Sequence, residues 1–161
     1  MKENLIGHAI SRIQYVELNN PEKEYRRAKY HNVDFAVQLV LENEAVYHFG
    51  WDTTFEQFLL KKDVIEIPPH LENYKFRVWE VESDPAWVPF IGKEIADIEF
   101  ELIERYWKGG KKVQAPTSMT IKFADMTPKV TFQIAEPAYD LAETPKELKP
   151  IYDGHIWICF I

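Results

Sequence analysis

A thirteen-residue pattern occurs twice in this chain. Residues 6–18 read Ile-Gly-His-Ala-Ile-Ser-Arg-Ile-Gln-Tyr-Val-Glu-Leu, and residues 91–103 read Ile-Gly-Lys-Glu-Ile-Ala-Asp-Ile-Glu-Phe-Glu-Leu-Ile. Ile6, Gly7, Ile10 and Ile13 recur as Ile91, Gly92, Ile95 and Ile98, 85 positions on. In the second copy Ile98, Phe100 and Leu102 alternate with Asp97, Glu99 and Glu101. That period of two belongs to a strand, not a helix. The spacing from Ile10 to Ile13, and from Ile95 to Ile98, breaks the alternation, which predicts a bulge near Ser11 and Ala96.

Further strands follow each copy in the same order. Val37, Leu39 and Leu41, then Ala45, Tyr47 and Phe49, read as a hairpin around residues 42–44. Met119, Ile121 and Phe123, then Val130, Phe132 and Ile134, read as its counterpart, with a connecting turn three residues longer. Residues 76–81 and 156–160 supply a closing strand to each half. Residues 19–32 read as a loop with one helical turn over 22–28, and 64–67 as a short strand ended by Pro68-Pro69. One short helix is expected from Thr53 to about Lys61. Thr53 and Glu56 fit a capping box there, with Phe55, Phe58 and Leu59 on one face. The predicted fold is mainly β: two duplicated four-stranded units packed as a sandwich or flattened barrel, with that one helix. Residues 1–161 form a single domain with internal pseudo-repeats 5–82 and 90–161. The join, 82–90, is aromatic and proline-bearing rather than Gly/Ser-rich, so the halves are expected to pack together.

The net charge of −7 opposes binding to a phosphate backbone, and no nucleic acid partner is expected. A basic protein partner suits it better. No apolar run reaches the ~18 residues of a membrane helix, and the N-terminus does not read as a signal peptide. The expectation is a cytoplasmic protein with no membrane association. One cysteine, Cys159, excludes an intrachain disulfide and a Cys-rich metal site; it reads as a buried, inert thiol. His8, His31, His48, His70 and His155 form no His-x-His or His-Glu-x-x-His pattern, so no metal or cofactor is expected. Ser11, Ser83 and Ser118 lie in no nucleophile elbow, and the six glycines form no phosphate loop. No catalytic residue is assigned.

The candidate interaction surface is Trp51, Trp87, Phe90, Glu99, Glu101 and Trp107. Five Trp, 8 Tyr and 10 Phe are a large supply of the side chains that interfaces favour, and the carboxylates stripe one strand face. The same rings would also plug the ends of a sandwich. A small-molecule carrier with an aromatic-lined barrel interior is the alternative to a protein-binding domain, and an enzyme with a dispersed site is a third.

Residues 85–93 read Pro-Ala-Trp-Val-Pro-Phe-Ile-Gly-Lys, followed by Pro116-x-Ser118-x-x-Ile121-x-Phe123 and Val130-x-Phe132-x-Ile134-Ala135-Glu136. Over 85–161 the pattern resembles a loose class of small bacterial β-rich proteins, some encoded beside toxin genes. The resemblance implies an immunity-like role and carries no active residue.

Overall fold

The structure is a computed structural model that describes residues 2–18, 25–27, 30–51, 58–65, 75–106, 112–134, 137–139, 145–148 and 155–161. A single 3-10 turn, Lys2–Asn4, precedes the strands. In chain order these are β1 (Ile10–Leu18), β2 (Arg26–Arg27), β3 (Tyr30–Val33), β4 (Ala36–Leu41), β5 (Val46–Trp51), β6 (Phe58–Lys62) and β7 (Phe76–Glu80). The second half adds β8 (Ile95–Tyr106), β9 (Lys112–Phe123), β10 (Lys129–Gln133), β11 (Pro137–Tyr139), β12 (Pro145–Leu148) and β13 (Ile156–Phe160). One sheet runs β6-β5-β4-β1-β7 and the other β2-β3-β13-β10-β9-β8, while β11 and β12 pair with each other.

The repeated pattern has a geometric counterpart. Ile10 pairs with Leu41 and Arg12 with Val40, so Ser11 bulges. In the second sheet Ile95 pairs with Phe123 and Asp97 with Lys122, so Ala96 bulges at the matching place. The Ser11 hydroxyl fills the first bulge by donating to the carbonyls of Val40 and Leu41, at 3.1 and 3.2 Å. Gly7 and Gly92 both take positive φ, 84° and 75°, which a side chain would strain. The two copies then clasp each other. Gly7 N–H donates to Ile95 O at 2.9 Å, and Gly92 N–H to Ile10 O at 2.8 Å. Ala9 and Glu94, also matching positions, form a bridge between them.

Four expectations need correction. The matching hairpins pair Val40 with Val46 and Lys122 with Lys129, so the second turn is one residue longer, not three. Leu59–Lys61, expected in the helix, lie on β6, an edge strand held by β5; residues 52–57 lie outside the described residues. A short amphipathic segment beside an open sheet edge gains more ladder bonds as a strand than a two-turn helix could. Residues 30–32, expected in a loop, and Arg26–Arg27, expected in its helical turn, lie on strands β3 and β2, and β3 crosses to pair with β13 in the second sheet. Val64 and Ile65 are not in a strand; residues 66 and 67 lie outside the described residues.

The sheets pack face to face as a sandwich and do not close into a barrel. Inward residues of both interdigitate: Ile13, Tyr15, Val37, Leu39 and Phe49 from one, Ile98, Met119, Ile121, Val130, Phe132 and Ile158 from the other. The rings of Phe49 and Phe132 meet at 5.9 Å across the interface. All of these are 0% exposed, so none borders a space that water could enter. The interior that a barrel carrier would need is filled at these positions. Close approach also fixes Gly50 opposite Ala36. A Cβ there would lie 2.6 Å from the Ala36 Cβ and 2.9 Å from the Phe35 carbonyl. Gly50→Ala is expected to lose about 1–3 kcal/mol of stability, read from the urea midpoint. An unchanged midpoint would mean that the two strands separate freely.

Candidate functional site

Three places gather chemically able side chains. The first is internal. β1 points Tyr15 inward, β3 brings His31 beside it, and the join between the halves delivers Asp84 and Trp87. Tyr15 and Trp87 are 0% exposed, and His31 and Asp84 are 4%. The Trp87 indole N–H donates to the Tyr15 oxygen. An indole can only donate, so the Tyr15 hydroxyl proton is left for His31 Nδ1, 2.7 Å away. His31 then carries its own proton on Nε2, which faces Asp84 Oδ1 at 3.8 Å.

The carboxylate of Asp84 is held from several sides. Arg26 Nε forms an ion pair with its Oδ2 at 2.6 Å, the Tyr25 hydroxyl donates to the same oxygen at 3.2 Å, and Ala86 N–H donates to Oδ1 at 3.0 Å. Arg26 is the one member with an exposed side chain, so the ion pair runs from solvent to core. Rings of Tyr15, Tyr25 and Phe160 cage the imidazole edge-on. Burial pushes the His31 pKa down to about 4; the Asp84 carboxylate opposes this and Arg26 adds to it. Burial also holds the Tyr15 hydroxyl well above the usual tyrosine range, against the pull of the Trp87 bond.

Asp84, His31 and Tyr15 stand in the order of a nucleophile-activating relay. The oxygen such a relay would activate is wholly buried, so no reacting atom can reach it. The arrangement ties the join to both sheets.

The second place is a depression of about 210 Å³ beside β5 and β6, lined by His48, Trp51, Lys61, Lys62 and Asp63 among others. Its volume is below the ~300 Å³ at which ligand pockets begin. His48 and the Asp63 carbonyl bond at 2.8 Å, which closes one side. The third place is the face of β8. Asp97, Glu99 and Glu101 share its outer side, as their spacing requires, and Glu101 has no cation beside it among the described ion pairs. Lys2 lies 3.8 Å from Asp97, and Lys122 pairs Glu99 at 2.6 Å. Ser118 donates to Glu101 at 3.0 Å.

The six residues expected to form one surface are therefore not together. Trp87 and Phe90 are buried in the core, 0% and 3% exposed, because the join folds inward between the sheets. Trp51 is half-buried against the core at the depression, and Glu99 and Glu101 are exposed on β8. Trp107 lies outside the described residues. The reading of the sequence missed Tyr15, Tyr25, Arg26, His31 and Asp84 as a unit. Asp84 next to a proline in an aromatic stretch was the one local signal. Among the described residues no group of three His, Cys, Asp or Glu is placed to hold a metal ion. No helix among them is long and apolar enough to cross a membrane. Comparison with known proteins finds no matching family model, no matching curated protein and no matching solved structure.

Proposed function

We propose that this chain is a non-catalytic protein-binding domain of the cytoplasm, immunity-like in role, with a basic protein as its partner. It is a single domain over residues 1–161 assembled from pseudo-repeats 5–82 and 90–161. The observation that carries the reading is the outer edge of β8. Among the described residues this strand ends its sheet, runs twelve residues against the five of β10, and leaves Leu102 54% exposed. A long edge strand presents unpaired ladder groups, and with an apolar side chain beside them it is a template that another chain can cover. The internal Tyr15–His31–Asp84 cluster supports a non-catalytic reading, since its reactive atoms are sealed. Neither nucleic acid nor membrane is part of this proposal, given the net charge of −7.

Native capture followed by quantitative mass spectrometry tests it with three baits: the unaltered chain, Leu102→Lys and Val64→Lys. Val64 is 62% exposed, follows β6 in the other sheet and serves as the control. A protein held by the first and third baits and lost from the second is expected. Equal capture by all three would sink the reading.

A further inference from the structure

We infer that the outer edge of β8 is a strand-acceptor site. Its occupant is an extended segment of another protein, antiparallel to residues 99–103 and alternating apolar with basic side chains. The inference rests on the binding reading above and names its partner chemistry. The argument comes from comparing the two halves of the chain with each other.

In the first sheet β1 is flanked on both sides. β4 pairs along one edge, and β7 pairs antiparallel along the other, matching Gln14–Leu18 with Phe76–Glu80. The residues 85 positions on from Gln14–Leu18 are 99–103, in the middle of β8. β9 pairs along one edge of β8, and among the described residues no strand pairs along the other. The segment that corresponds to β7 is β13, and it has gone elsewhere. It lies between β10 and β3, with Val130 opposite Phe160 and Ile156 opposite Val33. Among the described residues the second sheet thus has its closing strand at the far side and none beside β8.

The edge is closed at its beginning and open after that. Ile95 exchanges backbone bonds with residues 7 and 8. At Ile98 the N–H donates to the Asp97 carboxylate at 2.8 Å, and the carbonyl accepts from Lys2 Nζ at 3.1 Å. Main-chain groups alternate in direction along a strand, so the next residues to face the same edge are Phe100 and Leu102. No described residue takes their amide or carbonyl on that side.

Side chains set the occupant's pattern. Phe100, half-buried, and Leu102, 54% exposed, continue the inner face; Glu99 and Glu101 lie exposed on the outer face. A strand laid beside them places apolar groups against the first pair and cations against the second. The first sheet shows the apolar half of this pattern: Trp79 stands opposite Tyr15, the residue that matches Phe100. A second copy of this chain fits worse. Two β8 strands related by a two-fold axis at Phe100 would set Glu99 of one against Glu101 of the other, and like charges directly opposite are destabilising.

The test uses the full chain, labelled with nitrogen-15, and capped synthetic peptides of about six residues, the length of a typical strand. A peptide alternating lysine with valine is expected to shift the amides of Phe100 and Leu102 and slow their hydrogen exchange. The same peptide N-methylated on its edge-facing amides should lose this effect. One alternating glutamate with valine should bind at least about tenfold more weakly, and Glu99→Lys with Glu101→Lys should reverse that order. Equal binding of both charge patterns, or a concentration-dependent dimer that shifts Phe100 without peptide, would overturn the inference. If Leu102-dependent capture persists while no alternating peptide moves Phe100, the strand-acceptor site is wrong and the binding reading stands. If capture ignores Leu102 but the lysine–valine peptide protects Phe100, the edge accepts strands and the proposed cellular role fails.

Discussion

Replacing Trp87 by alanine is expected to lower the unfolding free energy by about 4 kcal/mol, the cost of removing a large aromatic from a core that cannot collapse. Trp87 is 0% exposed and touches both sheets. Its ring stands 5.1 Å from Phe160, 6.1 Å from Phe132 and 6.2 Å from Phe90. Its N–H also serves the buried Tyr15 oxygen. Trp87→Phe separates the two roles, because it keeps most of the ring contacts and removes the donor. That variant should lose about 1–3 kcal/mol, the cost of a buried polar atom left short of a partner. Domains of this size hold about 5–15 kcal/mol in total, so the alanine variant should unfold at far lower urea while the phenylalanine variant stays folded. Similar midpoints for all three chains would mean that Trp87 does not pin the join to the core.

Acidification should weaken the fold through His31, by about 3 kcal/mol in total. The pKa of His31 is about 4 in the folded protein, against 6.5 for an unperturbed histidine in the unfolded chain. Between those values the unfolded chain binds a proton that the folded one refuses, so stability rises with pH. The contribution is present in full above about pH 6.5, declines as pH falls, and is gone below about pH 4. The groups facing the imidazole are the Asp84 carboxylate, the Arg26 guanidinium and the Tyr15 and Tyr25 hydroxyls. His31→Phe keeps a ring in the cage and removes the titration. Urea midpoints of both chains at several values from pH 8 to pH 4 should show a gap that narrows, then reverses, as pH falls. At pH 8 the variant is the weaker, since the Tyr15 hydroxyl loses its acceptor; in acid it no longer carries a group that must stay neutral. Parallel curves would show that His31 does not feel its burial.

Much of the second half was readable because β structure repeats every two residues. Ile98 and Phe100 against Asp97, Glu99 and Glu101 state which side of the strand faces the core, and the structure puts them on those sides, while Leu102 on the same side is 54% exposed. The bulges at Ser11 and Ala96 were readable for the same reason, since an extra residue shifts the phase of everything after it. The region around β6 was misread. Leu59 and Leu60 carry an apolar pair without a long run on either side, and such a pair satisfies a helix or an edge strand equally. What settled it was β5, whose free edge offers a ladder to the segment.

The candidate surface failed for a different reason. Trp87 and Phe90 have the composition of an interface, but composition does not say which way a loop turns. The polar network around Asp84 joins residues 15, 25, 26, 31, 84 and 87, which become neighbours only when the join folds between the sheets. No short window of sequence contains more than three of them.

Alternation, bulge and hairpin order were determined by the sequence alone, because each depends on residues a few positions apart. The placement of the fourth strand was decided only in three dimensions. β7 joined β1 and β13 joined β10, although each follows a similar hairpin in the chain. Both outcomes satisfy the same local pattern. They differ in which edge lay within reach of the connecting segment and which apolar face was still uncovered, and those are properties of the assembled sheets.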